Sequence, residues 1–213
     1  KEDENLIKKF NPQSFISELG EHIGRIALPV LVTDSFCDVL LVNRCLLGFY
    51  DIPQSLLLNA ENVVGGYNQM RYVFHAESNF KDLMGKEAWD KYSLINARYF
   101  RRRSMRVRSK KYFSILLKEL LDDKKYPSFE RWWRKMMFES RDDYLVPFHT
   151  PDPADANAIY AVESLLALTP YGEVYLQQIL PLNKKTTKRI EKIIDKLGEG
   201  YVQLAPFPDK QKR

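Results

Sequence analysis

The side chains that most often carry catalysis are few and widely separated in this chain. His22, His75 and His149 form neither an HExxH pair nor another spacing that would bring metal ligands together. Cys37 and Cys45 lack the CxxC spacing of a redox or zinc site, and no histidine is close to them in sequence. We therefore expect ordinary histidines, two buried thiols in a reducing compartment, and no metal site.

Loops that bind phosphate groups or present a nucleophile are also missing from the sequence. It contains no GxGxxG, no P-loop and no GxSxG, and the pair Gly65–Gly66 is typical of a turn. Because no acid–base or nucleophile constellation is visible either, we expect no catalytic residues and a protein that is not an enzyme.

The basic residues are concentrated in one segment. The 213 residues have a formal net charge of +5, but residues 98–111 alone carry eight cations and no acid. The other 25 basic residues are outnumbered by 28 acidic ones, so the rest of the chain has a net charge of −3. The cations of this basic segment are Arg98, Arg101, Arg102, Arg103, Arg106, Arg108, Lys110 and Lys111.

Three interpretations of the basic segment stay open. It is a solvated helix face with acidic neighbours, or a contact for DNA phosphates whose affinity depends on salt. The third interpretation is a surface that contacts another domain or subunit, or that guides an anionic ligand. The candidate basic surface consists of Arg101, Arg102, Arg103, Arg106 and Arg108.

The composition limits the class of protein. With 45% apolar and 29% charged residues, a disordered or collagen-like chain is excluded, and two cysteines exclude a disulfide-dense scaffold. The charged N-terminus is not a secretory signal, and no apolar run approaches the roughly 18 residues of a membrane helix. We expect a soluble cytoplasmic protein without a membrane span. The chain does not begin with methionine, which is compatible with a fragment that lacks an N-terminal domain.

Apolar periodicity predicts the elements that would position a site. Helices are predicted at 12–24, at several places between 67 and 140, and at 184–197. Strands are predicted at 30–33, 39–42, 159–169 and 173–182, with a fifth near 144–148. Strands at both ends of the chain with helices between them indicate an α+β fold, with a PAS-like antiparallel sheet and helices packed on one face.

This pattern divides the chain into three parts. Residues 1–25 form an N-terminal linker helix, residues 26–183 a PAS-like sensor domain, and residues 184–213 a C-terminal helix and tail. The end of the tail, from residue 205, is expected to be frayed. Asn43, at the end of the second strand, is expected to cap the helix that follows it.

Four elements follow one another in the order and spacing of a known family. DVLLVNRCLLGFY at 38–50 has a strand that ends in Asn-Arg, and NQMRYVF at 68–74 has the form N-x-x-R-x-x-F. Trp89 comes 15 residues after Phe74, and residues 97–133 contain arginines, a leucine-rich helix and then SFERWW, which is similar to the Ser-x-x-F-x-x-x-W pattern of the family. Together these segments resemble the ligand-binding, PAS-like domain of the MmyB-like transcription regulator family. The resemblance covers roughly residues 26–182.

The resemblance implies a function. In that bacterial family the domain follows an XRE-type helix-turn-helix, looks like a small-molecule sensor, and is associated with ligands such as fatty acids. DNA would then be bound through a helix-turn-helix domain outside this chain. After Trp133 the sequence departs from the family, because ESRDDYLVPFHTPDP replaces a loop rich in glycine and histidine.

A PAS-like fold implies an apolar pocket between the sheet and the helices, with a few polar anchors. Arg71 and Asn43 are candidate ligand contacts; a surface role for Arg71 and a capping role for Asn43 are the alternatives. A haem-binding histidine and a flavin-reactive Cys45 are minor alternatives. Aromatic residues at helical spacing either line such a pocket or fill the core. These candidates are Tyr67, Phe74, Trp89, Tyr92, Tyr99, Phe100, Trp132 and Phe138.

We therefore expect a sensor domain that binds an apolar small molecule, such as a fatty acid, and relays occupancy through the helix near residues 15–23. No cofactor is expected apart from such a ligand. The alternative is a PAS-like protein-interaction or dimerisation domain with a filled core, in which the basic segment is the partner surface. A homodimer stays open in both cases.

Overall fold

The computed structural model describes residues 10–52, 54–78, 80–135, 148–149 and 159–208. The α-helices are α1 (Pro12–Gly24), α2 (Arg44–Tyr50), α3 (Gln54–Leu57), α4 (Gln69–Phe74), α5 (Phe80–Met84), α6 (Lys86–Arg103), α7 (Lys111–Leu120), α8 (Phe129–Lys135) and α9 (Lys184–Leu197). The strands are β1 (Val30–Asp34), β2 (Val39–Asn43), β3 (Phe148–His149), β4 (Ile159–Thr169), β5 (Gly172–Pro181) and β6 (Tyr201–Gln203). Within these ranges no helix is long and apolar enough to cross a bilayer.

The strands form one antiparallel sheet in the order β3-β4-β5-β1-β2-β6. β1 is central, because it pairs with β2 on one side and with β5, near the end of the chain, on the other. The helices between β2 and β3 are inserted between strands that belong to the same sheet. The predicted α+β fold and antiparallel sheet are therefore confirmed.

Each face of the sheet carries its own core. Leu31 of β1 points to the front face, where most of the helices pack, whereas Val30 and Val32 point to the back face. On the back face they contact α1, which contributes Ile16 and Ile23. The prediction that helices pack on one face is wrong. Every residue of β1 and β2 is buried, so both faces of this hairpin need an apolar cover.

Local signals in the sequence locate most of the elements correctly. The predicted helix over 12–24 is present, and its N-cap Asn11 accepts hydrogen bonds from the Gln13 and Ser14 amides at 2.9 and 3.2 Å. The two predicted hairpins and the C-terminal helix are also confirmed. The strand predicted near 144–148 falls mostly outside the described residues, which include only Phe148 of it.

The C-terminal segment differs from the prediction. β6 is only three residues long and pairs with β2, with Leu41 opposite Gln203. Beyond it, Ala205 and Phe207 are buried in the back core, so residues 205–208 are packed and not frayed. The ring of Tyr201 lies so close to Gly20 that a methyl group there would overlap it. This close approach holds α1 against β6.

A buried polar cluster joins the β1–β2 turn to the helices. The Asp38 carboxylate accepts hydrogen bonds from Asn68 Nδ2 and from the Tyr112 hydroxyl, both at 2.7 Å. Asn68 also caps α4, because its Oδ1 accepts from the Met70 amide. These bonds fix α4 and α7 relative to the sheet, and α4 then forms one wall of the cavity described next.

Candidate functional site

A mainly apolar cavity lies between the front face of the sheet and helices α2, α4 and α6. It encloses about 740 Å³ of empty space when the solvent at its open mouth is included. The described lining residues are Leu31, Val39, Val42, Leu46, Tyr50, Ile52, Gln69, Tyr72, Val73, Phe80, Tyr92, Ile95, Asn96, Tyr99, Val162, Gln177, Ile179 and Leu204.

Of the seven predicted aromatic residues that the structure describes, Tyr92 and Tyr99 line this cavity. Four others fill the core beside it: Phe74, Trp89, Phe100 and Trp132. For example, the Phe74 ring packs edge-on against Phe129 with centroids 5.3 Å apart. Tyr67 packs against the back core, and Phe138 lies outside the described residues. The first five of these do not border the cavity, because helical spacing gives the buried face of a helix but does not say which buried residues border empty space.

Arg71 is not placed to anchor a ligand in the cavity. Its guanidinium is buried and donates hydrogen bonds to the carbonyl oxygens of Leu56 and Gly66, at 2.9 and 3.0 Å. It is not among the lining residues. Arg71 therefore holds the loop that precedes α4, and the predicted head-group anchor does not border this cavity.

Asn43 joins three parts of the fold. Its side chain is 1% exposed, and its Oδ1 accepts hydrogen bonds from the amides of Val30 and Leu46, both at 3.0 Å. Its Nδ2 donates to the carbonyl of Leu28 at 2.7 Å and to those of Ile23 and Ile26 at 3.3 Å. The predicted cap of α2 is confirmed, whereas Asn43, a predicted ligand contact, is not among the residues that line the cavity.

Three amide side chains, which the sequence reading did not select, form the polar part of the cavity wall. Gln69 of α4 donates to Asn96 Oδ1 of α6 at 2.8 Å and accepts from Gln177 Nε2 of β5 at 3.4 Å. Gln177 Nε2 also approaches the Thr33 hydroxyl at 3.4 Å. Each amide sits at one position of an otherwise apolar face, and only the assembled fold brings the three together. We call Gln69, Asn96 and Gln177 the amide ladder.

Tyrosine hydroxyls form the next part of the polar wall. Tyr50 and Tyr160 are hydrogen-bonded through their hydroxyls at 3.3 Å, and Tyr50 is also hydrogen-bonded to Tyr92. Burial raises the pKa of all three phenols well above the usual value, so they are neutral at physiological pH. Tyr72 also lines the cavity, and its buried hydroxyl has no hydrogen-bond partner among the described residues. The wall therefore offers uncharged hydrogen-bonding groups.

The basic segment is not one surface. Arg103 is 5% exposed, donates to Thr33 Oγ1 and Ser164 Oγ at 3.3 and 2.7 Å, and stacks on the Tyr175 ring at 4.3 Å. It is therefore structural, and its assignment to the basic surface is wrong. A guanidinium can be buried in this way because its plane stacks on rings while its edge donates hydrogen bonds.

The remaining arginines of the candidate basic surface differ in exposure. Arg101 and Arg108 are half-buried and lie over the Trp133 ring, at 5.0 and 5.7 Å from its centroid. Arg102 and Arg106 are exposed, and Arg106 forms an ion pair with Glu173. The exposed part of the segment is therefore smaller than the run of cations in the sequence.

The residues that could do covalent or metal chemistry stay dispersed. Cys37 and Cys45 are free and buried, as predicted, and burial raises their pKa to about 12 and about 11. No group of three His, Cys, Asp or Glu side chains within the described ranges could hold a metal ion.

No known protein-family model matches the sequence, and no curated protein matches it either.

Proposed function

We propose that this chain is the PAS-like, ligand-binding sensor domain of an MmyB-like transcription regulator. It binds an apolar small molecule, such as one with a fatty-acyl chain, in the cavity between the sheet and α2, α4 and α6. Occupancy is relayed to a helix-turn-helix domain that is not in this chain. The observation that carries the proposal is the cavity itself, because a well-packed core leaves few voids larger than a water molecule.

The topology supports the PAS-like part of the proposal. The first two strands are joined to the last long strand in one antiparallel sheet, with the helices inserted between them. The residues that carry the family resemblance have structural roles in this arrangement. Asn43 and Asn68 cap helices, Arg71 holds a loop, and Phe74 packs against Trp89 at 6.0 Å. The resemblance therefore bears on the framework around the cavity and leaves the ligand open.

Asn43 supplies a physical link for the relay. Val42 and Leu46, on either side of it, line the cavity, whereas its own amide binds the carbonyls of Ile23 and Ile26 at the end of α1. A ligand that displaces β2 or α2 would shift this amide and so move α1. The ligand can shift the equilibrium only by its differential affinity for the two positions of α1.

The proposal is tested by extracting the purified protein with organic solvent and identifying bound lipids by mass spectrometry. The delipidated protein is then titrated with 12-carbon amphiphiles while its melting temperature is followed. A ligand at 100 times its Kd stabilises by about 2.7 kcal/mol. The ligand site would be ruled out if the extracts contained no lipid and none of the amphiphiles changed the melting temperature of the delipidated protein.

A dimerisation domain is the second candidate, supported by the β4–β5 hairpin. Its tip exposes Leu165, Leu166, Leu168 and Tyr171, and Leu168 is 76% exposed. An exposed apolar group of this kind often marks a contact with another chain. Light scattering after gel filtration should then give a dimer for the wild type and a monomer for Leu168→Glu. A monomeric wild type would exclude this candidate.

A further inference from the structure

We propose that the cavity selects ligands with an uncharged hydrogen-bonding head group and rejects ionised carboxylates. The inference rests on the proposed ligand-binding function and narrows its ligand class to neutral molecules such as long-chain amides, alcohols or protonated acids. It follows from three features of the cavity: its charge, its open hydrogen-bonding groups, and the positions of the nearest arginines.

None of the described lining residues is an acid, a lysine, an arginine or a histidine. The titratable side chains among them are the tyrosines Tyr50, Tyr72, Tyr92 and Tyr99, and burial raises the pKa of the first three above the usual value of a phenol. An ionised carboxylate that entered this cavity would lose its water shell without gaining a cation. Such a transfer is strongly unfavourable, and the group would take up a proton instead.

The amide ladder has hydrogen-bonding groups that the described residues do not use. Gln177 Oε1 accepts no hydrogen bond from the described residues, and Gln69 Nε2 uses one of its two hydrogens on Asn96. The buried Tyr72 hydroxyl also has no hydrogen-bond partner among the described residues. The cavity thus presents both an acceptor and donors. An amide or an alcohol can use both kinds of group, whereas a carboxylate can only accept hydrogen bonds.

The nearest buried arginines are occupied elsewhere. Arg71 donates through Nη1 to the Leu56 and Gly66 carbonyls, while its buried Nε has no partner among the described residues, and Arg103 donates to Thr33 and Ser164 behind the ladder. Neither lines the cavity. Arg103 is linked to the ladder through the Thr33 hydroxyl, which Gln177 also approaches, and its guanidinium packs over the ring of Tyr99 at 5.2 Å. A head group at the ladder would therefore meet amides and not a guanidinium.

The test compares three 12-carbon probes on the purified chain: dodecanamide, 1-dodecanol and dodecanoate, below their aggregation limits. Dissociation constants are measured at pH 6 and pH 8. Each of the two neutral probes should have the same dissociation constant at pH 6 and at pH 8. Dodecanoate should bind at least tenfold more weakly than dodecanamide at pH 8. Its Kd should rise about tenfold per pH unit, because only the protonated acid enters.

Matched variants assign the selectivity to the ladder. Gln177→Leu should weaken dodecanamide binding about tenfold, as expected for one lost hydrogen bond. Gln178→Leu, on the opposite face of the same strand, should leave it unchanged. If Gln177→Leu does not fold, Gln69→Leu replaces it.

The outcomes separate the two proposals. Dodecanoate that binds at pH 8 as tightly as dodecanamide overturns the head-group inference while leaving the ligand site in place. An affinity for dodecanamide that Gln177→Leu and Gln69→Leu both leave unchanged overturns the assignment to the ladder. If no probe binds at either pH, the ligand-binding function itself fails.

Discussion

Replacement of Asn43 by aspartate should destabilise the fold strongly, and the loss should depend on pH. The substitution keeps the shape of the side chain and its acceptor oxygen, so the amides of Val30 and Leu46 keep their partner. It removes the Nδ2 donor, which binds the carbonyls of Leu28 and Ile26. Asn43→Asp therefore isolates the donor half of this junction.

The magnitude follows from the groups left without a partner. The carbonyls of Leu28 and Ile26 would both be orphaned, whereas Ile23 also accepts from the Ile26 amide. Each buried unsatisfied carbonyl costs about 1–3 kcal/mol, and burial of a carboxylate adds to this. We expect a loss of about 3–5 kcal/mol at pH 7, a large share of the roughly 5–15 kcal/mol that stabilises an ordinary domain.

The pH dependence has a definite sign. Burial beside carbonyl oxygens raises the folded-state pKa of the introduced carboxyl above its unfolded value of about 3.9. The protonated form, which can donate one hydrogen bond, is then favoured by folding. The variant's stability relative to wild type should be highest near pH 4 and fall as the pH rises through the folded-state pKa.

The assay is urea unfolding followed by tryptophan fluorescence at pH 4 and pH 7. Asn11→Asp is the matched control, because Asn11 is exposed and caps α1 only as an acceptor, a role that a carboxylate keeps. The control should stay within about 0.5 kcal/mol of wild type. The donor role of Asn43 is wrong if the free energy of unfolding of Asn43→Asp lies within about 1 kcal/mol of wild type at pH 7. It is also wrong if the difference from wild type is not smaller at pH 4.

Two further predictions concern buried groups outside the cavity. Arg103→Met should lower the free energy of unfolding by about 2–3 kcal/mol, because two hydrogen bonds and the stacking on Tyr175 are lost. Arg106→Met, whose side chain is 76% exposed, should cost less than 1 kcal/mol in the same urea assay, and equal losses would contradict the assignment of Arg103. Burial raises the pKa of Cys37 to about 12 and of Cys45 to about 11, so stability should fall above pH 9 and continue to fall towards these values. Cys37→Ala should flatten that decline by up to about 1.4 kcal/mol per pH unit, and an unchanged slope would contradict it.

Much of the fold could be predicted because its signals are local. Asn11 and Asn43 cap the helices that their positions indicate, and the apolar runs of β4 and β5 flank a short turn with Gly172, as the strands of a hairpin do. The three-residue β6 has too few residues to show a pattern. The cover on the back face also has no local signal, because a fully apolar strand does not say what lies on either side of it.

The cavity was harder to predict than the framework. Aromatic residues at helical spacing are buried in either interpretation, and whether Tyr99 or Phe100 borders empty space depends on the packing of three other elements. The amide ladder draws one residue each from α4, α6 and β5, so no spacing in the sequence connects them. The run of arginines gave a similar difficulty. Charge alone does not distinguish the buried Arg103 from the exposed Arg106.

The central claim is that the cavity is a ligand site, and a variant that fills the cavity tests it most directly. Val162 lines the cavity from β4, whereas Val202 of β6 is exposed and does not line it. The measurement is the Kd of 1-dodecanol for wild type, Val162→Phe and Val202→Phe. Val162→Phe should weaken binding at least tenfold without a lower melting temperature, and Val202→Phe should bind like wild type. Equal affinity in all three proteins would contradict it.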